Sequence, residues 1–177
     1  MKVINLFAGP GAGKSTTAAR LFTYCKDSGI NVELVTEYAK DLTWEQREDI
    51  LQDQLYVTAK QNRRLARLKN KVDFVITDSP LLLGYQYALP DYFPKTFKPF
   101  VVDLWNSYDN HCYFLGRVKP YRTAGRSQTE QEAVGIDGDI RKMLKNMEIK
   151  YLEVNGDESG AKHIFTDILA ILALPKV

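Results

Sequence analysis

Short, unbroken apolar runs punctuate the chain at Val3–Phe7, Val32–Thr36, Phe74–Thr77, Cys112–Leu115 and Ile149–Val154. Runs of this length without alternation predict parallel strands buried on both faces. Between them the period lengthens to that of helices. Ser15–Asp27 predicts a helix closed by Gly29 as its C-terminal cap. Trp44 to about Lys69 predicts one long helix with an apolar stripe at Trp44, Leu51, Leu55, Ala59, Leu65 and Leu68. Residues 80–110 look helical but are broken by Pro90, Pro94 and Pro99. Residues 116–128 read as a loop. Thr129-Glu130-Gln131-Glu132 has the capping-box pattern that starts a helix, and Gly135 and Gly138 weaken that helix, so its first half is expected to be mobile. Ser159–Leu172 closes the chain as a helix. Five strands alternating with helices predict an α/β fold: a five-stranded parallel sheet with helices on both faces. Ligands then collect at the C-terminal ends of the strands.

Composition narrows this picture. A length of 177 residues predicts one domain with one sizeable core. The formal net charge of +2 is too small to imply a nucleic-acid or membrane partner by itself. Cys25 and Cys112 show no metal-ligand spacing and suit a reducing compartment as small buried groups. No apolar stretch approaches membrane-spanning length, and the apolar N-terminal run reads as a strand rather than a signal peptide. The expected location is cytoplasmic.

Chemistry enters directly after the first run. Residues 8–16 read Ala-Gly-Pro-Gly-Ala-Gly-Lys-Ser-Thr, a phosphate-binding loop. Gly9, Gly11 and Gly13 let successive backbone N–H groups, with that of Ala12, point into one concavity that holds phosphate oxygens. The following helix turns its positive dipole end toward the same anion. Lys14 is placed to reach the outer phosphates, Ser15 to bind Mg²⁺ through its hydroxyl, and Thr16 to complete the nest. Ala8 stands where the first glycine of the motif usually falls. A dinucleotide fingerprint counted from Gly9 needs glycine where Lys14 stands, so the expected ligand is a nucleoside triphosphate.

Two carboxylates arrive beside that nest, Glu37 after strand two and Asp78 after strand three. Phosphoryl transfer needs a metal anchor and a group that orients or deprotonates the acceptor. Asp78 follows an apolar strand and is expected to hold Mg²⁺ directly or through water, with Glu37 as the base. The sequence leaves these roles exchangeable. It also leaves Asp78 open as the N-cap of a helix at Pro80, and Glu37 as a plain strand-end residue. Arg117, Arg122 and Arg126 share one glycine- and proline-containing loop. Arginines that close over a transferring phosphoryl group stabilise its charge and exclude water, so residues 116–130 are expected to form a lid.

Other positions carry weaker signals. Tyr38, Trp44, Tyr85 and Tyr87 either stack on a flat acceptor or pack in the core. Gln54 either bonds a base or is a surface amide. Lys60, Arg63, Arg64, Arg67 and Lys71 line one helix side, as a phosphate-backbone contact or as a solvated face. Asn155-Gly156-Asp157 either borders an adenine or is turn chemistry alone. His111 and His163 lack partners at ligand spacing.

The loop at 8–16, Val-Thr-Glu-Tyr-Ala-Lys at 35–40, Ile-Thr-Asp-Ser-Pro at 76–80 and Arg-Val-Lys-Pro-Tyr-Arg-Thr-Ala-Gly-Arg at 117–126 together resemble small P-loop kinases common in bacteriophages. These are similar to ribosylnicotinamide-kinase-like and deoxynucleoside-kinase-like proteins. The resemblance spans nearly the whole chain and implies a single P-loop kinase domain over residues 1–177. It implies Glu37 as base and Arg117, Arg122 or Arg126 as the lid arginine on the phosphates. Deoxynucleoside kinases usually carry arginine after the strand-three acid, where this chain has Ser79. The implied activity is transfer of the γ-phosphoryl group of ATP, with Mg²⁺, to a hydroxyl of a nucleoside or nucleotide. Some phage relatives phosphorylate 5-hydroxymethyluracil bases, so DNA is an alternative acceptor. A nucleotide-hydrolysing switch is the rival of another class; the chain lacks the Asn-Lys-x-Asp sequence that reads guanine.

Overall fold

A computed structural model of the chain describes residues 1–89, 95–122 and 128–174. Among them the strands are β1 (Lys2–Phe7), β2 (Val32–Val35), β3 (Phe74–Thr77), β4 (Asp109–Gly116) and β5 (Leu152–Asn155). They form one sheet in the order β2-β3-β1-β4-β5, parallel at every pairing. The helices are α1 (Lys14–Asp27), α2 (Tyr38–Trp44), α3 (Glu48–Leu51), α4 (Gln54–Ala66), α5 (Leu82–Tyr87), α6 (Phe97–Asn106), α7 (Glu130–Asn146) and α8 (Glu158–Ala173).

The central strand shows why both faces must be covered. Side chains alternate along a strand, so Val3 and Phe7 enter one core layer and Ile4 and Leu6 the other. The first layer is completed by Leu65 of α4, Leu82 and Leu83 of α5, Trp105 of α6 and Ile140 of α7. The second is completed by Leu21 and Cys25 of α1 and by Ile164 and Ile168 of α8. Each fully buried Leu, Ile or Phe contributes about 1.5–3 kcal/mol, and β1 buries Ile4, Leu6 and Phe7 completely.

Several boundaries follow from local chemistry. Gly29, at φ 73°, ends α1 as expected, with its N–H donating to the Lys26 carbonyl (3.0 Å) and that of Ile30 to Cys25 (2.9 Å). The capping box at the start of α7 is complete: Thr129 N–H donates to Glu132 Oε2 (2.7 Å), and Glu132 N–H donates to Thr129 Oγ1 (3.3 Å). The helix then continues unbroken through Gly135 and Gly138. Pro99 breaks nothing, because it sits in the first turn of α6, where a missing N–H has no helical partner to lose. Pro90 and Pro94 lie outside the described residues, as do 123–127 of the expected lid.

The long helix expected from Trp44 to Lys69 is instead three helices. Gln46 adopts a left-handed conformation (φ 56°) that closes α2, with Arg47 N–H donating to the Leu42 carbonyl (2.9 Å). Asp53 then starts α4 by accepting from Tyr56 N–H (3.1 Å). Half of the expected stripe fails with it: Trp44 and Leu55 are 65% and 51% exposed and Ala59 is exposed too, whereas Leu65 is in the core and Leu68 packs against it. The buried face of α4 is Gln54, Val57, Thr58, Gln61 and Leu65. Its period is helical but its chemistry is half polar, because it faces a cavity. No helix among the described residues is long and apolar enough to cross a membrane.

Candidate active site

The site lies where β1, β2 and β3 end. β1 delivers the chain to the loop at 8–16. Gly11 (φ 82°) and Gly13 (φ 96°) take left-handed conformations that side-chain-bearing residues resist. Gly13 is the N-cap of α1 and provides no side-chain cap, and the first turn holds no acid, so the helix N-terminus is left to an anion. Lys14 Nζ donates to the Ala8 (2.7 Å) and Gly9 (3.0 Å) carbonyls, folding back over the loop. Ala12 is buried, whereas Ser15 and Thr16 are exposed. Gly156, after β5, abuts the loop: a Cβ there would lie 1.9 Å from the Ala12 carbonyl oxygen. Asp157 accepts from the N–H groups of Ser159 (2.8 Å) and Gly160 (3.2 Å) and so caps α8. Gly156 thus packs against the loop and Asp157 caps α8.

Both strand-end carboxylates reach this nest. Glu37 is the N-cap residue of α2 by backbone position, yet its side chain makes no capping bond and instead lines the cavity described below. Burial raises its pKa above the ordinary carboxylate value; the Lys14 charge pulls it partly back and Asp78 pushes it up further. Asp78 is 2% exposed, and its Oδ1 has no hydrogen-bond partner. The N-cap alternative for Asp78 does not hold, since the N-cap residue of α5 is Leu81. Burial lowers the Lys14 pKa; Glu37, Asp78 and Asp137 oppose that shift and Arg117 adds to it, so these five groups share one electrostatic neighbourhood. A buried, unpartnered carboxylate oxygen is costly unless a cation or donor meets it. Asp78 and the Ser15 hydroxyl both offer hard oxygens of the kind that Mg²⁺ takes, commonly one or two from protein with the rest from substrate phosphates and water.

The third component is Arg117. Its Nε donates to Asp137 Oδ2 (2.5 Å), Nη1 to the Pro10 carbonyl (2.7 Å) and Nη2 to the Ala133 carbonyl (3.0 Å). Asp137 Oδ1 accepts from Gly9 N–H (2.5 Å). Asp137 has no counterpart among the expected site residues. It lies on α7, far along the chain from the loop it meets, and no local motif marks it. Arg122 is exposed at the edge of the described segment, and Arg126 lies outside the described residues. The Tyr121 ring packs on Gly11, where a Cβ would lie 2.6 Å from a ring carbon, and its hydroxyl donates to the Gln128 carbonyl (2.6 Å).

A cavity of about 540 Å³ runs from the loop past Glu37 to a chamber between α2, α4 and α5. Gln54, Val57, Thr58 and Gln61 line it from α4, Leu83, Gly84 and Tyr87 from α5, and Lys40 and Trp44 from α2. Gln54 is buried and donates through Nε2 to the Leu51 carbonyl (2.9 Å). Gln61 accepts from Tyr38 N–H (3.0 Å) and donates to the Thr36 carbonyl (3.3 Å). Two expected acceptor contacts lie outside this lining. Tyr38 packs edge-on to Tyr56 (6.0 Å) beneath the Arg64 guanidinium (5.2 Å). Tyr85 packs on the core beneath Lys98 Nζ (4.6 Å), because two residues along a helix turn away from the face that Tyr87 presents to the cavity. On the basic row, Arg64 donates to Asp41 (2.5 Å) and to the Thr36 carbonyl (3.0 Å), while Arg63, Arg67 and Lys71 are exposed. His111 Nε2 lies 3.3 Å from Asp109 Oδ1 and His163 Nε2 3.8 Å from Asp167 Oδ2, and neither histidine lines the cavity.

Comparison with known proteins agrees with this architecture. The family model described as AAA domain matches residues 3–160, most of the chain, and the chain belongs to that P-loop family. No curated protein sequence matches significantly. Among solved structures, the fold is similar to deoxyadenosine kinase from M. mycoides with bound dATP, at a TM-score of 0.51 and 18% identity, covering 98% of this chain and 100% of that one. The five-stranded parallel sheet with flanking helices is thus a P-loop kinase fold.

Proposed function

We propose that this member of the AAA-domain P-loop family is an ATP- and Mg²⁺-dependent kinase that transfers the γ-phosphoryl group to a hydroxyl of a nucleoside or nucleotide. One observation carries the reading: a single cavity joins the phosphate loop, the desolvated carboxylate of Glu37 and a chamber lined by apolar groups and neutral amides. A hydrolase needs room only for water beyond its γ-phosphate. Here the chamber suits a flat acceptor with hydrogen-bonding edges, for which Gln54 and Trp44 are the nearest partners. The fold shared with a deoxyadenosine kinase favours the same class.

In this reading the loop amides and the N-terminus of α1 hold the phosphates, and Lys14 leaves its own loop carbonyls to meet the outer ones. Asp78 and Ser15 hold Mg²⁺, which supplies neutralisation of phosphate charge. Glu37, with its raised pKa, accepts the proton as the acceptor oxygen forms its bond to the γ-phosphorus. The bond from that phosphorus to the β–γ bridging oxygen breaks, and ADP leaves. Arg117 faces the loop from the opposite side and stabilises charge on the transferring group.

The test is ATP turnover measured with and without a panel of nucleosides and nucleotides. Strong dependence on one acceptor, with a phosphorylated product identified by mass spectrometry, is the expected result. Equal turnover with no acceptor would assign the chain to hydrolysis instead.

A further inference from the structure

We propose that Asp137 is a positioning residue that fixes both the Gly9 amide of the phosphate loop and the guanidinium of Arg117 for binding of the triphosphate. The inference rests on the triphosphate reading of the loop and not on the identity of the acceptor.

The geometry is that of a two-sided clamp. One carboxylate oxygen of Asp137 takes the Gly9 N–H and the other takes Arg117 Nε. Arg117 in turn holds the carbonyl of Pro10, the next residue of the loop, and the carbonyl of Ala133 on α7. Loop, guanidinium and helix are therefore closed into one ring of hydrogen bonds. Both side chains are largely buried, at 18% exposure for Arg117 and 13% for Asp137, and charge-assisted bonds of this kind are roughly twice as strong as neutral ones. The packing leaves no slack: a Cβ on Gly9 would lie 2.6 Å from the Ala133 oxygen and 2.9 Å from Asp137 Oδ1. Of the five N–H bonds of a guanidinium, one on each terminal nitrogen stays uncommitted among the described residues. Nη1 lies 3.5 Å from the Cβ position of Gly11, so this nitrogen stands directly beside the phosphate loop. A flexible arginine would lose side-chain freedom on meeting phosphate. Here Asp137 has already imposed that ordering, and binding loses less entropy.

Three roles for Asp137 predict different outcomes. As a positioning residue it acts through Arg117. As a latch it competes with phosphate for the arginine. As a purely structural acid it acts independently of Arg117. Affinity for Mg²⁺ and a non-hydrolysable ATP analogue is measured by calorimetry for wild type, Arg117→Ala, Asp137→Ala, Asp137→Asn and the double alanine variant, with thermal melting beside each. We expect each alanine change to weaken binding by about tenfold or more. The double variant should be no weaker than the worse single one, since removing either partner undoes the same arrangement. Asp137→Asn retains shape and one acceptor oxygen; it should stay folded, weaken binding by less than the alanine change, and carry the test if that variant unfolds. Tighter binding by either Asp137 variant would show a latch and overturn the proposal. Losses that multiply in the double variant, or unchanged affinity in folded Asp137→Asn and Asp137→Ala, would overturn it as well. Because no acceptor is present, failure here leaves the kinase reading standing, and failure of the kinase assay leaves this one standing.

Discussion

At the scale of single residues, the site divides into groups that announce themselves in the sequence and groups that do not. The loop at 8–16 is contiguous, so its glycines, Lys14 and Ser15 are legible as a motif. Glu37 and Asp78 are legible because strand ends converge in a parallel sheet, although nothing in the sequence separates capping from ligand roles. The structure removes the capping role from both: Leu81 is the N-cap of α5, Asp78 Oδ1 is unpartnered, and the Glu37 side chain makes no cap bond. Lys14→Ala should remove triphosphate turnover while circular dichroism stays unchanged, because Lys14 bonds only loop carbonyls and supports no core. Asp78→Asn should raise the Mg²⁺ concentration needed for half-maximal activity, an amide being a poorer ligand for a hard cation. Glu37→Gln should leave nucleotide affinity nearly intact and slow turnover by roughly 10²-fold or more, the scale of general-base catalysis. Its pH behaviour gives a second reading. Burial holds the Glu37 pKa above that of the unfolded chain, so its stabilising contribution is full below the unfolded value and is lost as pH rises through the folded one. The glutamine variant should therefore melt above wild type at neutral pH, with the difference vanishing on acidification. The wild-type acid limb of the rate profile should lie above the ordinary value of about 4.3 and be absent in the variant.

At the scale of elements, the sequence is most readable where an element meets an apolar core, as in β1 to β4, α1 and α8, while β5 begins at Leu152, three residues after the expected start at Ile149. It misleads where an element faces a polar cavity. The buried face of α4 alternates Gln54, Thr58 and Gln61 with Val57 and Leu65, so the apolar period marks Leu65 rightly but also the exposed Leu55 and Ala59. The division of that region into α2, α3 and α4 depends on Gln46 in a left-handed conformation, which glutamine rarely signals. Helix α7 offers an element-scale test. Gly135 and Gly138 lie in its interior, and a Cβ at either would meet nothing within 4 Å. Alanine at each should stabilise by about 0.5–1 kcal/mol through lost freedom of the unfolded chain. For a domain of this size that corresponds to a melting rise of about 2–4 °C per kcal/mol. The same helix carries Asp137 and Ala133 against the phosphate loop. If its first half must flex for nucleotide entry or release, the double alanine variant should melt higher yet turn over more slowly; unchanged turnover would make the glycines neutral to function.

At the scale of the whole molecule, the parallel sheet brings residues that follow β1, β2 and β3 around one cavity, while α7 braces the phosphate loop, and the cavity bears on what class of acceptor fits. A free nucleoside or nucleotide needs only the chamber between α2, α4 and α5. A base within DNA must be extruded into the same chamber while cations hold the backbone outside. The supply of such cations is modest. Net charge is +2, and on the basic row Arg64 is already committed to Asp41 and Thr36, with Lys60 Nζ 5.1 Å over the Tyr56 ring. Arg67 and Lys71 remain exposed on that side. A polymer held through several phosphates loses affinity by orders of magnitude between low and moderate salt, whereas a small acceptor loses far less. Phosphorylation of a free nucleoside should thus persist across a salt series and survive replacement of Arg64 and Arg67 together by glutamine, apart from any local loosening where Arg64 holds Asp41. Trp44→Ala, at the chamber mouth, should raise the KM for that acceptor with little change in the KM for ATP. Salt-sensitive phosphorylation of duplex DNA carrying 5-hydroxymethyluracil, abolished by the double glutamine change, would instead place the acceptor in DNA and make the basic row its backbone contact.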